Sequence, residues 1–337
     1  MFFLRYMHHF VLTVTNWALS SSEDEILVGG QAVIEGVMMR SPSRVAVAVR
    51  RPGGTLAFDE RPFASITHRV RVLGLPVLRG AVGLVETMMI GIAALNFSAE
   101  QASRDEPSAA HRPSAVTVAV QGALQIATVA ISLGIGALVF LVLPARLTGW
   151  LGFKDRVGFG LVDGLIRLIV FVAYLTLISQ WKEMRRVLGY HGAEHKAIHA
   201  LEAGVPLRPE NVQRFSRFHP RCGTSFLFLL VVISVIVFTF IGRPHGLTQH
   251  LLRFAAMPLI AGVAFEFIRL TARHGERPLV RALVWPGLQF QRLTTREPDL
   301  DMCAVAIAAL ERVRGDEQVV RLERAPAPAP AEVAFIQ

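Results

Sequence analysis

Charge is scarce in this chain of 337 residues. Asp, Glu, Lys and Arg make up only 18% of it, against 52% hydrophobic residues. A soluble protein of this size needs more polar surface than that, so an ordinary soluble domain is not expected. Cysteine is rarer still, with Cys222 and Cys303 alone, and both are expected on the reducing side of a membrane, which argues against a structural disulfide. Acidic residues are outnumbered 26 to 35 by Lys and Arg, giving a net charge of +9. Yet no basic stripe with interleaved aromatics is present, so nucleic acid is not an expected partner. Gly29-Gly30-Gln31 has neither the Lys of a P-loop nor the spaced glycines of a dinucleotide site. No internal repeat is visible.

Long apolar runs are what the chain does have. Residues 115–143 hold no charge over 29 positions, enough to span a bilayer with tilt or overhang. A second run, 161–180, carries Asp163 and Arg167 near one end. A third, 226–241, is short, and a fourth, 251–270, is interrupted by Arg253, Glu266 and Arg269 and could be kinked by Pro258. About four transmembrane helices are therefore expected, with the lipid bilayer as the partner. Eight Lys/Arg fall in 182–221, against three in 144–160 and Arg243 alone in 242–250. The positive-inside bias puts 182–221 in the cytoplasm. With four spans, both termini of this multi-pass protein of the cytoplasmic membrane face the same side. A second copy of the chain is left open as a partner.

Around these runs the sequence divides further. Residues 1–25 look superficially like a signal sequence, but Arg5, His8, His9 and Asn16 break the apolar stretch and no clean small-residue cleavage site follows. A poorly ordered leader is expected, with a membrane-surface helix as the rival reading. Residues 26–99 are read as a cytoplasmic β unit plus a helix. Val45, Val47 and Val49 alternate with small residues, Arg51-Pro52-Gly53-Gly54 turns, and 55–58 returns as a hairpin. The stretch 77–97 is apolar except for Arg79 and Glu86, and is expected to lie at the interface or against the bundle rather than to cross. Residues 100–114 are a linker and 115–272 the membrane bundle. Residues 273–313 form a cytoplasmic C-terminal segment, helical over 299–313 with Asp299 near its start. Residues 314–337 are expected to be a disordered tail, with alternating Ala and Pro over 325–331. The fold class is thus mainly α: a membrane helical bundle with a small N-terminal β unit.

The chemistry concentrates in 191–222. His191, His195 and His199 recur at i, i+4 and i+8, which places them on one helical face, and Glu202 continues it. His219 and Cys222 follow in His-Pro-Arg-Cys. Imidazole, carboxylate and thiolate are the ligands of a borderline divalent metal, zinc first, then iron or manganese. His191, Glu194 and His195 form H-x-x-E-H, the inverted zinc-peptidase arrangement, in which two imidazoles hold the ion and the adjacent Glu acts as general base on water. The plain alternative is an amphipathic helix that matches by chance, since only three positions are fixed.

The remaining ligands are left open. Three histidines on one helix face span about 12 Å, too far for one ion. Either His195 and His199 pair with a separate partner, or His219 or Cys222 folds back to complete the set. Cys222 could be ligand or nucleophile, or only a small buried residue. Glu266 and Arg269, one turn apart, are read as an intramembrane pair that could face the site or simply lock the bundle, and Glu86 is similar. Glu35 could reach the site or close the β unit.

Several blocks carry a resemblance. Gly29-Gly30-Gln31-Ala32-Val33-Ile34-Glu35-Gly36-Val37-Met38-Met39-Arg40 resembles the N-terminal signature of the bacterial YqhQ-like family, domain of unknown function 1385. Tyr190-His191-Gly192-Ala193-Glu194-His195-Lys196 and His219-Pro220-Arg221-Cys222-Gly223-Thr224-Ser225 resemble its central signatures. Trp285-Pro286-Gly287 and Leu293-Thr294-Thr295 with Glu297-Pro298 resemble its C-terminal one. The resemblance spans roughly 26–313. It implies a multi-pass membrane protein and a metal-dependent enzyme, with His191, Glu194, His195, His219 and Cys222 as motif residues, and it brings no substrate. The expected function is a metal-dependent hydrolase with Glu194 as base and a site at the cytoplasmic membrane face. Its rivals are divalent-metal transport or handover, and a scaffold stapled by metal.

Overall fold

A computed structural model of the protein describes residues 28–103, 115–153, 155–244, 246–273 and 277–324. The leader 1–25, most of the linker and the Ala/Pro end lie outside the described residues. The fold is mainly helical with one small antiparallel sheet.

The sheet is a four-stranded meander of β1 (Gly29–Val33), β2 (Gly36–Arg40), β3 (Arg44–Arg50) and β4 (Leu56–Pro62), in sequential order. The sequence pattern predicted only the hairpin of the last two. The first pair was obscured because both faces of the sheet are covered, so β2 reads as a continuous apolar run rather than an alternation. Val37, Met39, Ala46 and Ala48 face one core, while Met38, Val45, Val47 and Val49 face the other. The turn between β1 and β2 holds Glu35 in the left-handed region at φ 52°.

The second core closes on α1 (Leu78–Ala102) through Ile90, Ala94 and Phe97. α1 is long and apolar enough to cross a membrane, so five helices rather than four meet that measure. Its contacts divide it, however. Gly80 lies against Gly262 and Phe265 at its start. From Glu86 onward it runs along the sheet: Gly91 touches Gln31, Ser98 Oγ accepts from Ile34 N, and Gln101 accepts from Arg51.

The other four apolar stretches form the bundle. α2 (Ala115–Ala137) runs through a wide turn at Leu138–Val142 into α3 (Leu143–Trp150), where Pro144 has no N–H to offer the preceding turn. α4 (Arg156–Ile178) starts on Asp155, whose carboxylate accepts from Gly158 N. α6 (Gly223–Ile241) follows the polar helix α5 (Lys182–Glu202), and α7 (Leu247–Ala255) leads into α8 (Met257–Arg273). α9 (Pro278–Thr294), read from sequence as part of a cytoplasmic segment, packs on the bundle: Phe290 meets Phe228 at 5.0 Å and Phe171 at 5.7 Å. α10 (Leu300–Arg324) is capped by Asp299, whose Oδ1 accepts from Met302 N at 2.7 Å, and it runs to Arg324, well into the stretch expected to be tail.

Two ion networks tie the apolar helices. Asp163 is fully buried between Arg167 (2.8 Å) and Arg253 (3.3 Å). Arg167 also donates to Ser234 Oγ, and Arg253 to the carbonyl of Gly242, where α6 ends. The carboxyl-terminal carbonyls of a helix have no partner inside it, so Arg253 satisfies one of them. Glu266 also reaches out of its own helix. It holds Arg79 of α1 through bonds of 2.6 and 2.5 Å and accepts from Val77 N. The reach across helices is a strong one because both guanidinium nitrogens bond the carboxylate at once.

Removing one partner of a buried ion pair leaves an uncompensated charge at a cost of about 3–5 kcal/mol. Asp163→Ala should therefore lower the thermal unfolding temperature in detergent sharply. Arg61→Ala, at an exposed pair with Asp59, should cost about 1 kcal/mol or less.

Candidate metal centre

α5 is the central element of the polar half. Its mean composition is not apolar, yet Tyr190, Ala193, Glu194, His195, Lys196, Ala197 and Leu201 are all buried. Small residues make this burial achievable. A Cβ on Gly192 would stand 2.1 Å from the carbonyl oxygen of Arg296, and one on Gly30 2.7 Å from the Glu194 side chain. The chain after α9 is thereby drawn onto α5, where Arg296 N donates to Leu188 O at 2.8 Å. This close approach positions the histidines.

Each ring is anchored by a backbone carbonyl. His191 Nδ1 donates to Thr294 O at 2.7 Å, and His195 Nδ1 to Arg217 O at 2.5 Å. A carbonyl can only accept, so in both rings Nδ1 carries a proton and Nε2 is the nitrogen left to serve as a ligand. His191 Nε2 lies 3.3 Å from Cys222 Sγ, and the donor atoms of His191, His195 and Cys222 all fall within 4.8 Å of one another. Glu194 Oε2 stands 3.8 Å from His191 Nε2 and 4.0 Å from His195 Nε2. Tetrahedral zinc with nitrogen and sulfur ligands separates its donors by roughly 3.3–3.8 Å, given bond lengths near 2.0–2.3 Å. The donor set, the tautomers and the carbonyl partners behind them all fit a metal ion.

Cys222 caps α6 as its last extended residue, and its sulfur accepts from Thr224 N. Burial alone pushes a thiol upward. The charges of His191 and His195, with their hydrogen bonds, outweigh it and hold Cys222 well below its ordinary 9.0. The positive end of α6 acts in the same direction. Burial likewise opposes a charged His191, but Cys222 above all, then Glu194 and the Thr294 carbonyl, carry it up to about 9. Burial raises the Glu194 carboxyl against the pull of His195 and His191. Cys303 is the opposite case: burial pushes it up to about 11, and its Sγ donates to Gln213 Oε1.

His199 and His219 do not complete this set. They meet Glu202 in a second group whose donors also lie within 4.8 Å of one another. His199 Nε2 donates to Phe218 O at 2.8 Å, and Arg221 pairs with Glu202 Oε1. Burial pushes both imidazoles down to about 3, helped in His199 by His219 and in His219 by His195. The remaining residues singled out in the sequence serve elsewhere. Glu35 bonds Arg186 (Nη2 to Oε2, 2.6 Å) and accepts from the Tyr190 hydroxyl, fastening the β1–β2 turn to α5. Glu266 holds Arg79. Arg269 stands one turn from Glu266 on α8. Glu86 accepts from Ile66 N and Ser65 Oγ and faces Arg40.

Three participants were not recognised from sequence. Gln291, fully buried, accepts from His219 N and donates to His219 O, clamping the His-Pro-Arg-Cys loop to α9. Lys196, buried beside the site, donates to Gln213 O at 2.7 Å and pairs with Glu297. Thr294 contributes a backbone oxygen. Lys196 and Thr294 fall within the quoted signature blocks and Gln291 two residues before one of them, but nothing in the pattern showed what they hold.

Comparison with known proteins adds the kinship. Residues 75–316 match a family described as "Protein of unknown function (DUF1385)". The chain belongs to the DUF1385 family. The match takes in α5, the Cys222 loop and α9 but starts after the sheet. A relative from Bacillus subtilis strain 168, described as "Uncharacterized protein YqhQ", is 31% identical over 291 residues, covering 85% of this chain and 91% of its own length. No solved structure matches the chain.

In metal-free protein the Cys222 thiolate should persist below pH 9 and be lost only as the pH falls further, read from its ultraviolet absorbance. Cys303 stays silent over that range. His191→Gln removes the largest force opposing burial and should move the titration upward. Gly192→Ala, which separates the His191 ring from Thr294 O, should move it in the same direction. Gly29→Ala, at a position with open space around it, should leave it unchanged.

Proposed function

We propose that this protein is a multi-pass membrane protein carrying a divalent metal at His191, His195 and Cys222, zinc first, and that it is a hydrolase with Glu194 as general base. The observation that carries this reading is the pair of Nδ1–H bonds to Thr294 O and Arg217 O, which turn both Nε2 lone pairs toward Cys222. Three protein donors leave a fourth position for substrate or water, as in catalytic rather than structural zinc sites. When bound, the ion supplies Lewis acidity and lowers the pKa of water. Glu194 sits next to both ligands, and its raised carboxyl is a stronger base than an exposed one. Lys196 and Gln291 hold the two loops that bring the carbonyls to the rings.

Four spans are formed by the stretches 122–150, 156–178, 223–241 and 247–271, with α1 lying along the sheet and the membrane surface. α4 ends, and α6 begins, at the α5 side. The basic loop 182–221 puts that side, and both termini, in the cytoplasm. A transport role would need an acid within the bundle such as Glu266 on the ion's path, but Glu266 is committed to Arg79. A second reading has a specific observation behind it. Without metal, Cys222, His191 and Thr294 O line up as a thiolate nucleophile, its imidazole partner and an orienting acceptor.

Elemental analysis of detergent-purified protein should find one tightly held ion that His191→Ala/His195→Ala loses. Cobalt-substituted protein should show a thiolate-to-metal charge-transfer band, absent in Cys222→Ser. Glu194→Gln should keep the metal and the band, yet lower hydrolysis across a panel of ester, amide and phosphoester substrates by about 10²–10⁴-fold. Full metal in the double histidine variant sinks the proposal. Hydrolysis by metal-free protein that alkylation of Cys222 abolishes supports the nucleophile instead.

The His191 shift sets a pH dependence. Below about 9 the free protein carries a proton on His191 that the ion must displace. Metal affinity should therefore fall as the pH drops from 9, by up to about tenfold per unit for one released proton, in competition titrations with a chelator.

A further inference from the structure

The group made by His199, Glu202 and His219 is separate from the thiolate site, although His219 lies beside it, its ring centroid 5.7 Å from that of His195. His199 Nε2 is committed to Phe218 O, so its Nδ1 lone pair is free and faces Glu202 Oε2 at 4.0 Å. His219 Nε2 is buried, has no hydrogen-bond partner and lies 3.5 Å from Glu202 Oε2. The two rings stand 4.5 Å apart. Arg221 takes the other oxygen of Glu202. Two imidazoles and a carboxylate, with no sulfur, are a harder donor set than the one next to it.

We propose that His199, Glu202 and His219 form a second, weaker divalent-cation site that prefers harder ions such as manganese. Two features make it the weaker one. Arg221 competes with the cation for the Glu202 charge. The Arg221 backbone N–H also points at His219 Nδ1 at 3.3 Å, a long contact that must be given up when Nε2 becomes a ligand and the ring proton moves to Nδ1. Both imidazoles are neutral near pH 7, so binding there releases no ring proton. This site does not depend on the thiolate site being catalytic.

The test is a manganese titration of full-length protein in detergent, loaded with one equivalent of zinc and followed by electron paramagnetic resonance of the free ion. About one Mn²⁺ per chain should bind. Glu202→Gln and His199→Ala should weaken it by about tenfold or more. Arg221→Ala should tighten it, because the competing cation is gone. Cys222→Ser should leave the manganese unchanged while removing the cobalt–thiolate band. Glu202 is a third exposed, so its Gln variant should fold even if a histidine variant does not. No binding up to about 1 mM, or binding indifferent to Glu202→Gln, overturns the site and shows Glu202, Arg221 and His219 to be a structural lock. Loss of the cobalt band's dependence on Cys222 with manganese binding intact would instead overturn the first site alone.

Discussion

Backbone carbonyls bonded to imidazole nitrogens are the constraint on which the polar half depends. Thr294 is the last residue of α9, so its carbonyl has no acceptor role left inside the helix. The negative end of that helix therefore meets His191, and the bond both fixes the tautomer and favours charge on the ring. Arg217 and Phe218, in an irregular loop, have carbonyls equally free for His195 and His199. A histidine without such an anchor can rotate and exchange tautomers. Three rings on successive turns of α5, each held by a carbonyl, cannot.

This arrangement explains why so much of the chain is organised around one helix. Glycines at 30 and 192 let β1 and the chain after α9 approach α5 more closely than any side chain permits. Gln291 and Lys196 fasten the loops that carry the carbonyls, and Glu35 ties the sheet turn to Arg186 and Tyr190. The charges divide accordingly. Those of the apolar helices are locked in pairs, Asp163 with Arg167 and Arg253, Glu266 with Arg79. Around α5 ion pairs fasten the surrounding segments, Arg186 with Glu35 and Lys196 with Glu297, while the imidazoles keep a ring nitrogen turned toward Cys222, Glu194 or Glu202.

Much of this was legible in sequence, for identifiable reasons. The four long apolar runs show in any reading, because a bilayer-length stretch without charge has few other uses. The ligand types were legible too: the i, i+4 spacing puts His191 and His195 on one face whatever else the chain does. Two strands were hidden, because a sheet covered on both sides loses the alternation that marks one half-exposed. The reason for a glycine at 30 was not visible, because its role is an absence of side-chain volume against Glu194. Spacing puts Arg269 one turn from Glu266, while the bidentate partner Arg79 lies 187 residues away and no local pattern records it.

The division between sequence and tertiary structure follows from range. By itself the sequence determined the long apolar helices, the excess of Lys and Arg in the 182–221 loop and the chemical nature of the donors, all of which depend on neighbours within a turn or two or on a simple excess of one residue type. Only the tertiary structure decided how the donors are grouped. It joined Cys222 to His191 and His195, gave His219 to His199 and Glu202, and set the ring tautomers through oxygens from α9 and the 215–218 loop. Those choices rest on distances of a few ångströms between segments up to a hundred residues apart, and packing, not pattern, brings them together.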